Sequence, residues 1–344
     1  MNSRNAFQAA IDGDSRNSPT PVWFMRQAGR LFDEYRAIRE DHDFKEVCRS
    51  AELNARVTCM PVERLNVDAA IIFADILLPL EGMGSGFELV PGKGPVIDNP
   101  VRTPDDVDQL KTGTPRQDLS YVYNAIEASI DKLPDDVPLI GFAGAPFTLA
   151  SYLIEGGKSR SHHRTRTFML DYPKAWDQLM SKIVDATVEY LRGQIDAGAE
   201  YVQLFDSWVG QLSPPVYQRH VSDHSREIIE SIRSVPIIHF GTKTAGLLGS
   251  ISNLSPDVVG LDWRIELEEA QQQLTDRPAV QGNLDPALFL TSFDTVKSHV
   301  DTILEQAETY SGHIFNLGHG ILPDTEPEIV RRTVDYVHER TVNG

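Results

Sequence analysis

The chain has 344 residues, a formal charge of −18 at pH 7 and 41% hydrophobic residues. That length allows two domains, but α/β barrels commonly run this long as one. The acidic balance argues against nucleic acid and anionic membrane as partners, and no apolar run approaches the ~20 residues that a bilayer span needs.

The N-terminal stretch MNSRNAFQAAIDGDSRNS has no apolar h-region, so no signal peptide is expected. Cys48 and Cys59 make no disulfide framework, which fits a reducing cytoplasm. Arginines outnumber lysines, and an acidic, lysine-poor surface also suits a salt-rich cytoplasm.

Short β-rich runs then alternate with longer amphipathic stretches. The candidate strands are PVWFM (21–25), AAIIFA (69–74), PLIGFA (138–143), YVQLFD (201–206), PIIHF (236–240), VVGLD (258–262), AVQGN (279–283) and HIFNL (313–317). Most are continuous apolar runs, the mark of parallel strands buried on both faces. The stretch GFELVPGKGPVIDNPVRT (86–103) carries Pro-Gly and Gly-Pro turn markers and predicts a hairpin. Helical spacing runs over 173–199, 216–233, 293–312 and 327–342, with Gly312 as the expected C-cap of the third. Eight parallel strands with helices between them predict an α/β fold, a single (β/α)8 barrel over 1–344 with insertions after the first three strands. A doubly wound sheet is the alternative. No internal repeat or linker is evident.

In such a barrel the active site lies at the C-terminal strand ends. Those ends supply Arg26, Gln27 and Arg30; Asp75; Tyr152, in the segment after the third strand; Asp206 and Ser207; Gly241 and Lys243; Asp262 and Trp263; Asn283 and Asp285; and His319. Arginine is costly to bury without a partner, so where the fold supplies none a ligand must. Its planar fork grips carboxylates bidentately. Tyr152, Ser207 and His319 can add hydrogen bonds. A carboxylate such as Asp75 instead accepts from ligand N–H groups or steadies a developing positive charge. The expected ligand carries carboxylates outside and N–H donors or transient cationic character inside.

Blander roles stand beside these. Arg26 and Arg30 could cap carbonyls or pair with Asp75, and Asp75 could be a helix N-cap. Asp206 reads as a salt-bridge partner and His313 as a core residue. EGGKS (155–159) looks like the end of a phosphate loop, but Tyr152 stands where the first glycine is required. GKSRSHHRTRT (157–167) is a solvated loop or a gate for a polyanion. His220 and His224, at i and i+4, suggest half a zinc site with no third ligand.

The segments PVWFMRQAGR, FADILLPLEGMG, GFAGAPFTLASYLIEGG, LFDSWVGQLSP, VQGNLDP and GHIFNLGHGILPDTEPE resemble, in this order, the uroporphyrinogen decarboxylase family. The likeness runs from about Pro21 to Val337. It implies a cofactor-free (β/α)8 barrel, a cytoplasmic homodimer, acting in haem and porphyrin biosynthesis. The implied reaction removes carbon dioxide from four acetate side chains of uroporphyrinogen III to give coproporphyrinogen III. By resemblance, the loop Arg26-Gln27-Ala28-Gly29-Arg30 grips carboxylates and Asp75 accepts the central pyrrole N–H groups. Tyr152, Ser207 and His319 match further substrate contacts, and Met25 and Phe205 line apolar walls. Asp75 and Arg26 are the implied catalytic pair, with Arg26 as proton donor or carboxylate anchor. Water relayed through Tyr152 or His319 is the rival donor. No metal is implied. Two other readings stand: a tetrapyrrole binder without turnover, and a zinc-dependent corrinoid methyltransferase, which calls for a cysteine in the later half of the barrel that this chain lacks.

Overall fold

The continuous apolar runs form one parallel sheet in the computed structural model, which describes residues 2–14, 18–90, 92–112, 115–275 and 278–342. The strands are β1 (Ala70–Ile71), β2 (Phe87–Val90), β3 (Gly94–Ile97), β4 (Leu139–Gly144), β5 (Tyr201–Asp206), β6 (Ile237–Gly241), β7 (Val258–Gly260), β8 (Ala279–Leu284) and β9 (His313–Leu317). Seven of them pair in the order β1-β4-β5-β6-β7-β8-β9, every pair parallel. The order never reverses. A doubly wound sheet would reverse it at a switch point, so that alternative fails.

The segment 21–25 is not a ladder strand. It joins the sheet by one parallel bridge, Val22 to Phe315. Trp23 N–H donates to the Phe315 carbonyl at 3.3 Å and Phe315 N–H to the Pro21 carbonyl at 2.9 Å. On its other flank, Asp68 N–H donates to the Val22 carbonyl at 2.7 Å. The segment therefore touches both edges of the curled sheet. Pairing stops there because side chains take over the next donors. Phe24 N–H goes to Gln27 Oε1 at 2.9 Å, and Met25 N–H to Asn316 Oδ1 at 3.1 Å.

Asp68, 2% exposed, gathers this junction. Its carboxylate accepts from Ser3 Oγ at 2.7 Å, Val22 N–H at 2.8 Å and His338 Nε2 at 2.7 Å. It thus ties the first helix (Ser3–Asp12), the closing segment and the last helix (Pro327–Val342) to the entrance of β1. Inside the curl, the Trp23 indole donates to Gln281 and Gln281 donates to Gln203, both at 2.9 Å. Gln203 is on β5 and Gln281 on β8, which are not neighbours, so this link crosses the hollow of the sheet. Phe142, Phe205 and Phe240 stack edge to face, with ring centroids 5.5 and 6.0 Å apart.

The helical patterns hold with three corrections. The 173–199 pattern is the helix Pro173–Asp196. The 216–233 pattern is two helices, Pro214–His220 and Ser222–Ser231, broken at Val221. The helix Phe293–Ala307 ends before Gly312, which is no C-cap. A Cβ on Gly312 would lie 1.6 Å from the Ala10 carbonyl, so glycine there permits close packing on the first helix. The expected hairpin is the antiparallel pair β2–β3, and Pro91 of its turn lies outside the described residues. Among the described residues no helix is long and apolar enough to cross a membrane.

Asp68→Ala removes the acceptor from three donors at once. It is expected to lower the urea-unfolding stability by about 3 kcal/mol, since buried donors lose their partner. A loss below about 1 kcal/mol would contradict the junction role.

Candidate active site

Gln27 shapes the arginine loop. It is fully buried, accepting from Phe24 N–H and donating Nε2 to the Ala69 carbonyl at 2.9 Å. Its own N–H returns to the Phe24 carbonyl at 3.0 Å. Its side-chain amide is thus occupied by backbone groups, which makes it a brace for the loop. The brace throws the chain into a left-handed turn at Arg26, with φ 64°. That conformation costs a non-glycine residue roughly 1 kcal/mol and persists only where surroundings impose it. Gly29 follows at φ 143°, and Ala28 is half-buried.

Arg26 and Arg30 are exposed rather than buried. Among the described residues neither guanidinium makes a hydrogen bond or ion pair with the protein. The Arg26 side chain lies over Gly320, where a Cβ would meet its Cδ at 2.3 Å. Ile321 N–H donates to the Met25 carbonyl at 2.9 Å and ties the last loop to the first.

Asp75 stands just past β1. Leu77 N–H donates to its Oδ1 at 2.9 Å in a local turn; the short helix that follows, Leu78–Gly82, has Leu77 as its N-cap, so Asp75 is not the helix cap that its position suggested. Among the described residues Oδ2 has no hydrogen-bond partner. Burial pushes the Asp75 carboxyl up to about 6, against the pull of the Leu77 N–H and the Arg26 charge. Burial, then the Asp75 charge, raises the Tyr152 phenol to about 12. Burial, then the charges of Arg26 and Arg264, lowers His319 to about 4. The Arg26 charge thus acts on Asp75, Tyr152 and His319, which come from three separate parts of the chain.

Ser207 is half-buried at the end of β5, where its carbonyl accepts from Thr242 Oγ1 at 2.6 Å. Phe205, one of the stacked rings, and buried Met25 lie at the same end. Tyr152 is set by its helix, Pro146–Glu155, which is pinned at Thr148. Thr148 Oγ1 donates to Asp206 Oδ1 at 2.9 Å and accepts from Trp208 N–H at 3.2 Å. Asp206 is therefore a fully buried anchor, with His239 Nε2 3.7 Å from Oδ2. His313 is buried against the Gly282 carbonyl at 2.6 Å.

Sequence reasoning missed Trp208, whose ring lies 5.9 Å from Tyr152 and 5.0 Å from His162. The signal was the basic run itself: His162 within it is buried, not solvated. Arg264 was missed too. Its guanidinium stacks on Trp263 with 3.6 Å to the ring centroid, and Trp263 meets His319 edge-on at 6.0 Å. His220 and His224 fall on separate helices. Among the described residues no three His, Cys, Asp or Glu side chains group so as to hold a metal. Both cysteines are buried, and burial raises the Cys59 thiol to about 11 and Cys48 higher still.

Asp75, its pKa raised by burial and acted on by the Arg26 charge, thus stands at the carboxyl ends of a curled parallel sheet, where α/β-barrel enzymes carry their sites. Comparison with known proteins agrees. The sequence matches the family "Uroporphyrinogen decarboxylase (URO-D)" over residues 2–340. It is 48% identical to the uroporphyrinogen decarboxylase of Carboxydothermus hydrogenoformans, over 94% of this chain and 93% of that one. It is 49% identical to that of Solibacter usitatus, over 94% and 95%. A methyltransferase from Methanosarcina mazei shares the fold, with a TM-score of 0.85 over 98% of each chain at 18% identity. The chain belongs to the uroporphyrinogen decarboxylase family.

The raised Asp75 pKa carries a stability cost with a definite sign. Between its unfolded value of 3.8 and its native value of about 6, the native state binds more protons. Stability therefore falls as pH rises through that window and stays lowered above it. Asp75→Asn keeps an acceptor for Leu77 N–H and removes the cost. It is expected to stabilise the fold by about 1–2 kcal/mol at pH 7.5, with the gain vanishing near pH 4. Chemical denaturation at both pH values checks this; an equal effect at both contradicts it.

Proposed function

We propose that this chain removes carbon dioxide from the four acetate side chains of uroporphyrinogen III, giving coproporphyrinogen III, with its own side chains and no cofactor. The observation that carries this reading is the Asp75 oxygen that has no hydrogen-bond partner among the described residues, beside the charge of Arg26. Membership of the family gives it its chemical name. The substrate carries carboxylates on its periphery and pyrrole N–H groups at its centre, which matches that arrangement. Arg26 and Arg30 hold peripheral carboxylates, the backbone from Ala28 to Gly29 lets the loop approach them, and Asp75 accepts central N–H groups. Gln27 acts by holding the loop.

A carbon–carbon bond breaks heterolytically in each step, and its electron pair needs a sink. Protonation of a pyrrole carbon makes the ring cationic. The pair from the departing carboxylate then flows into that cation, carbon dioxide leaves, and the methylene left behind is protonated to a methyl as the ring carbon loses its added proton. Net, one proton replaces one carbon dioxide. Ionised Asp75 beside the pyrrole nitrogens stabilises the cation, a preorganised effect of the kind that dominates many rate enhancements. Arg26 serves as the carboxylate anchor. Tyr152 and His319 are both uncharged near pH 7 and hold a proton-relaying water. Ser207 bonds a further substrate oxygen.

The reading takes residues 1–344 as one barrel unit, present as a cytoplasmic homodimer with no nucleic acid or membrane partner. Sedimentation of the purified chain tests the dimer.

Anaerobic incubation with uroporphyrinogen III, without added metal, is expected to yield porphyrins of seven to four carboxyls after oxidation. Asp75→Ala should cut turnover by about a thousandfold, roughly 4 kcal/mol of transition-state stabilisation. Tight binding with all eight carboxyls intact would leave a carrier as the better reading. Because Asp75 must be ionised, kcat/KM is expected to fall as pH drops through about 6. A rate that stays flat from pH 7 to pH 5 would remove Asp75 from this role.

A further inference from the structure

Arg264 follows β7 and is held in place from two sides. Its Nη1 donates to Asp262 Oδ2 at 2.8 Å, and its backbone N–H to Asp262 Oδ1 at 2.8 Å. Asp262 is 2% exposed and also accepts from Lys243 N–H. The guanidinium carbon lies over the Trp263 ring, 3.6 Å from its centroid. Both contacts fix the side chain and strip water from one of its faces.

One edge of the fork stays open. Among the described residues Nε and Nη2 have no hydrogen-bond partner, and the side chain is 39% exposed. A guanidinium held by Nη1, with Nε and Nη2 free, presents the paired donors that a carboxylate takes bidentately. An ion pair that served only the fold would have no need to leave this edge in the open.

The loop that carries Arg264 adjoins the site. Gly318 packs so closely on the Asp262–Trp263 backbone that a Cβ would lie 2.1 Å from Trp263 N, while Gly320 packs on Arg26. His319 between them is flanked by the Arg264 loop on one side and Arg26 on the other. The Arg264 charge lowers the His319 pKa by more than Asp262 raises it, so a net positive field reaches the imidazole.

We propose that Arg264 is a carboxylate-binding residue of this site, gripping a peripheral carboxylate of the tetrapyrrole on the side of His319 opposite Arg26. This rests on the substrate reading given above. With Arg26 and Arg30 it makes a third fixed cation, one that spans the macrocycle and sets which way its acidic rim is turned.

The test compares wild type, Arg264→Gln and Arg264→Lys. Arg264→Gln is expected to raise KM for uroporphyrinogen III about tenfold with kcat within about twofold. The salt dependence of KM should become shallower, because one charged contact is gone. Arg264→Lys should recover the salt dependence but only part of the KM, since an ammonium cannot bind bidentately. A purely structural role would lower the melting temperature and kcat and leave the salt dependence alone. Equal KM and equal salt dependence in wild type and Arg264→Gln would overturn the proposal. If wild type itself gives no turnover, the substrate reading fails separately. Fluorescence titration with uroporphyrin, which needs no turnover, then decides: weaker binding by Arg264→Gln upholds the carboxylate grip, and equal binding refutes it.

Discussion

The junction at Asp68 is the constraint on which the site depends. The segment carrying Arg26 holds the sheet by only one bridge on the β9 side. Backbone pairing alone would leave it loose. Asp68 fixes the other side by bonding the Val22 amide while holding the first and last helices. A buried carboxylate is expensive unless its lone pairs are filled, and here the three donors come from three remote parts of the chain. The fold must therefore be complete before the junction is satisfied. The arginine loop inherits that rigidity within a few residues, through Gln27 and Asn316.

Much of the architecture was readable because parallel strands buried on both faces appear as unbroken apolar runs. Where the reading failed, the deciding contacts were remote in sequence. Segment 21–25 looks like its neighbours, but Asn316 and Gln27 take the amides that a ladder would use. The 216–233 pattern hides its break because both short helices keep an apolar face. Gly312 resembled a C-cap, yet its reason lies in Ala10, three hundred residues away in the chain. The same division holds for the site. Asp75 and His319 follow strand ends, where barrel geometry says to look, and Arg26 and Arg30 follow the segment that bridges to β9. Gln27 has the composition of a ligand group, and only the Ala69 carbonyl reveals that it is a brace. Arg264 is one charged residue among many until Trp263 and Asp262 are seen to hold it.

Asp75 and Arg26 lie near enough to influence each other, yet they form no ion pair. That separation has a chemical use. Direct pairing would hold the carboxyl well down and occupy the guanidinium, leaving neither for a substrate. The left-handed turn at Arg26 and the glycine shelf at Gly320 keep them apart. The backbone strain and the raised Asp75 pKa are thus two sides of one arrangement: stability is given up so that, among the described residues, an acid and a cation stand close without pairing.

On the proposed reading, the arginines that meet the substrate stand on a molecule whose net charge of −18 repels polyanions at long range. At about 0.15 M salt, charges beyond ~8 Å are largely screened, so the distant carboxylates matter less than the arginines at the mouth. Arginine suits this position better than lysine, because its grip depends on geometry as well as charge. On the proposed reaction, each carbon dioxide lost removes one negative charge from the macrocycle. The same arginines then hold each successive intermediate with one fewer ion pair available. A ligand held by several modest contacts can lose them one at a time and turn in the site between steps, whereas a single strong anchor would keep one acetate over Asp75 and leave the others out of reach.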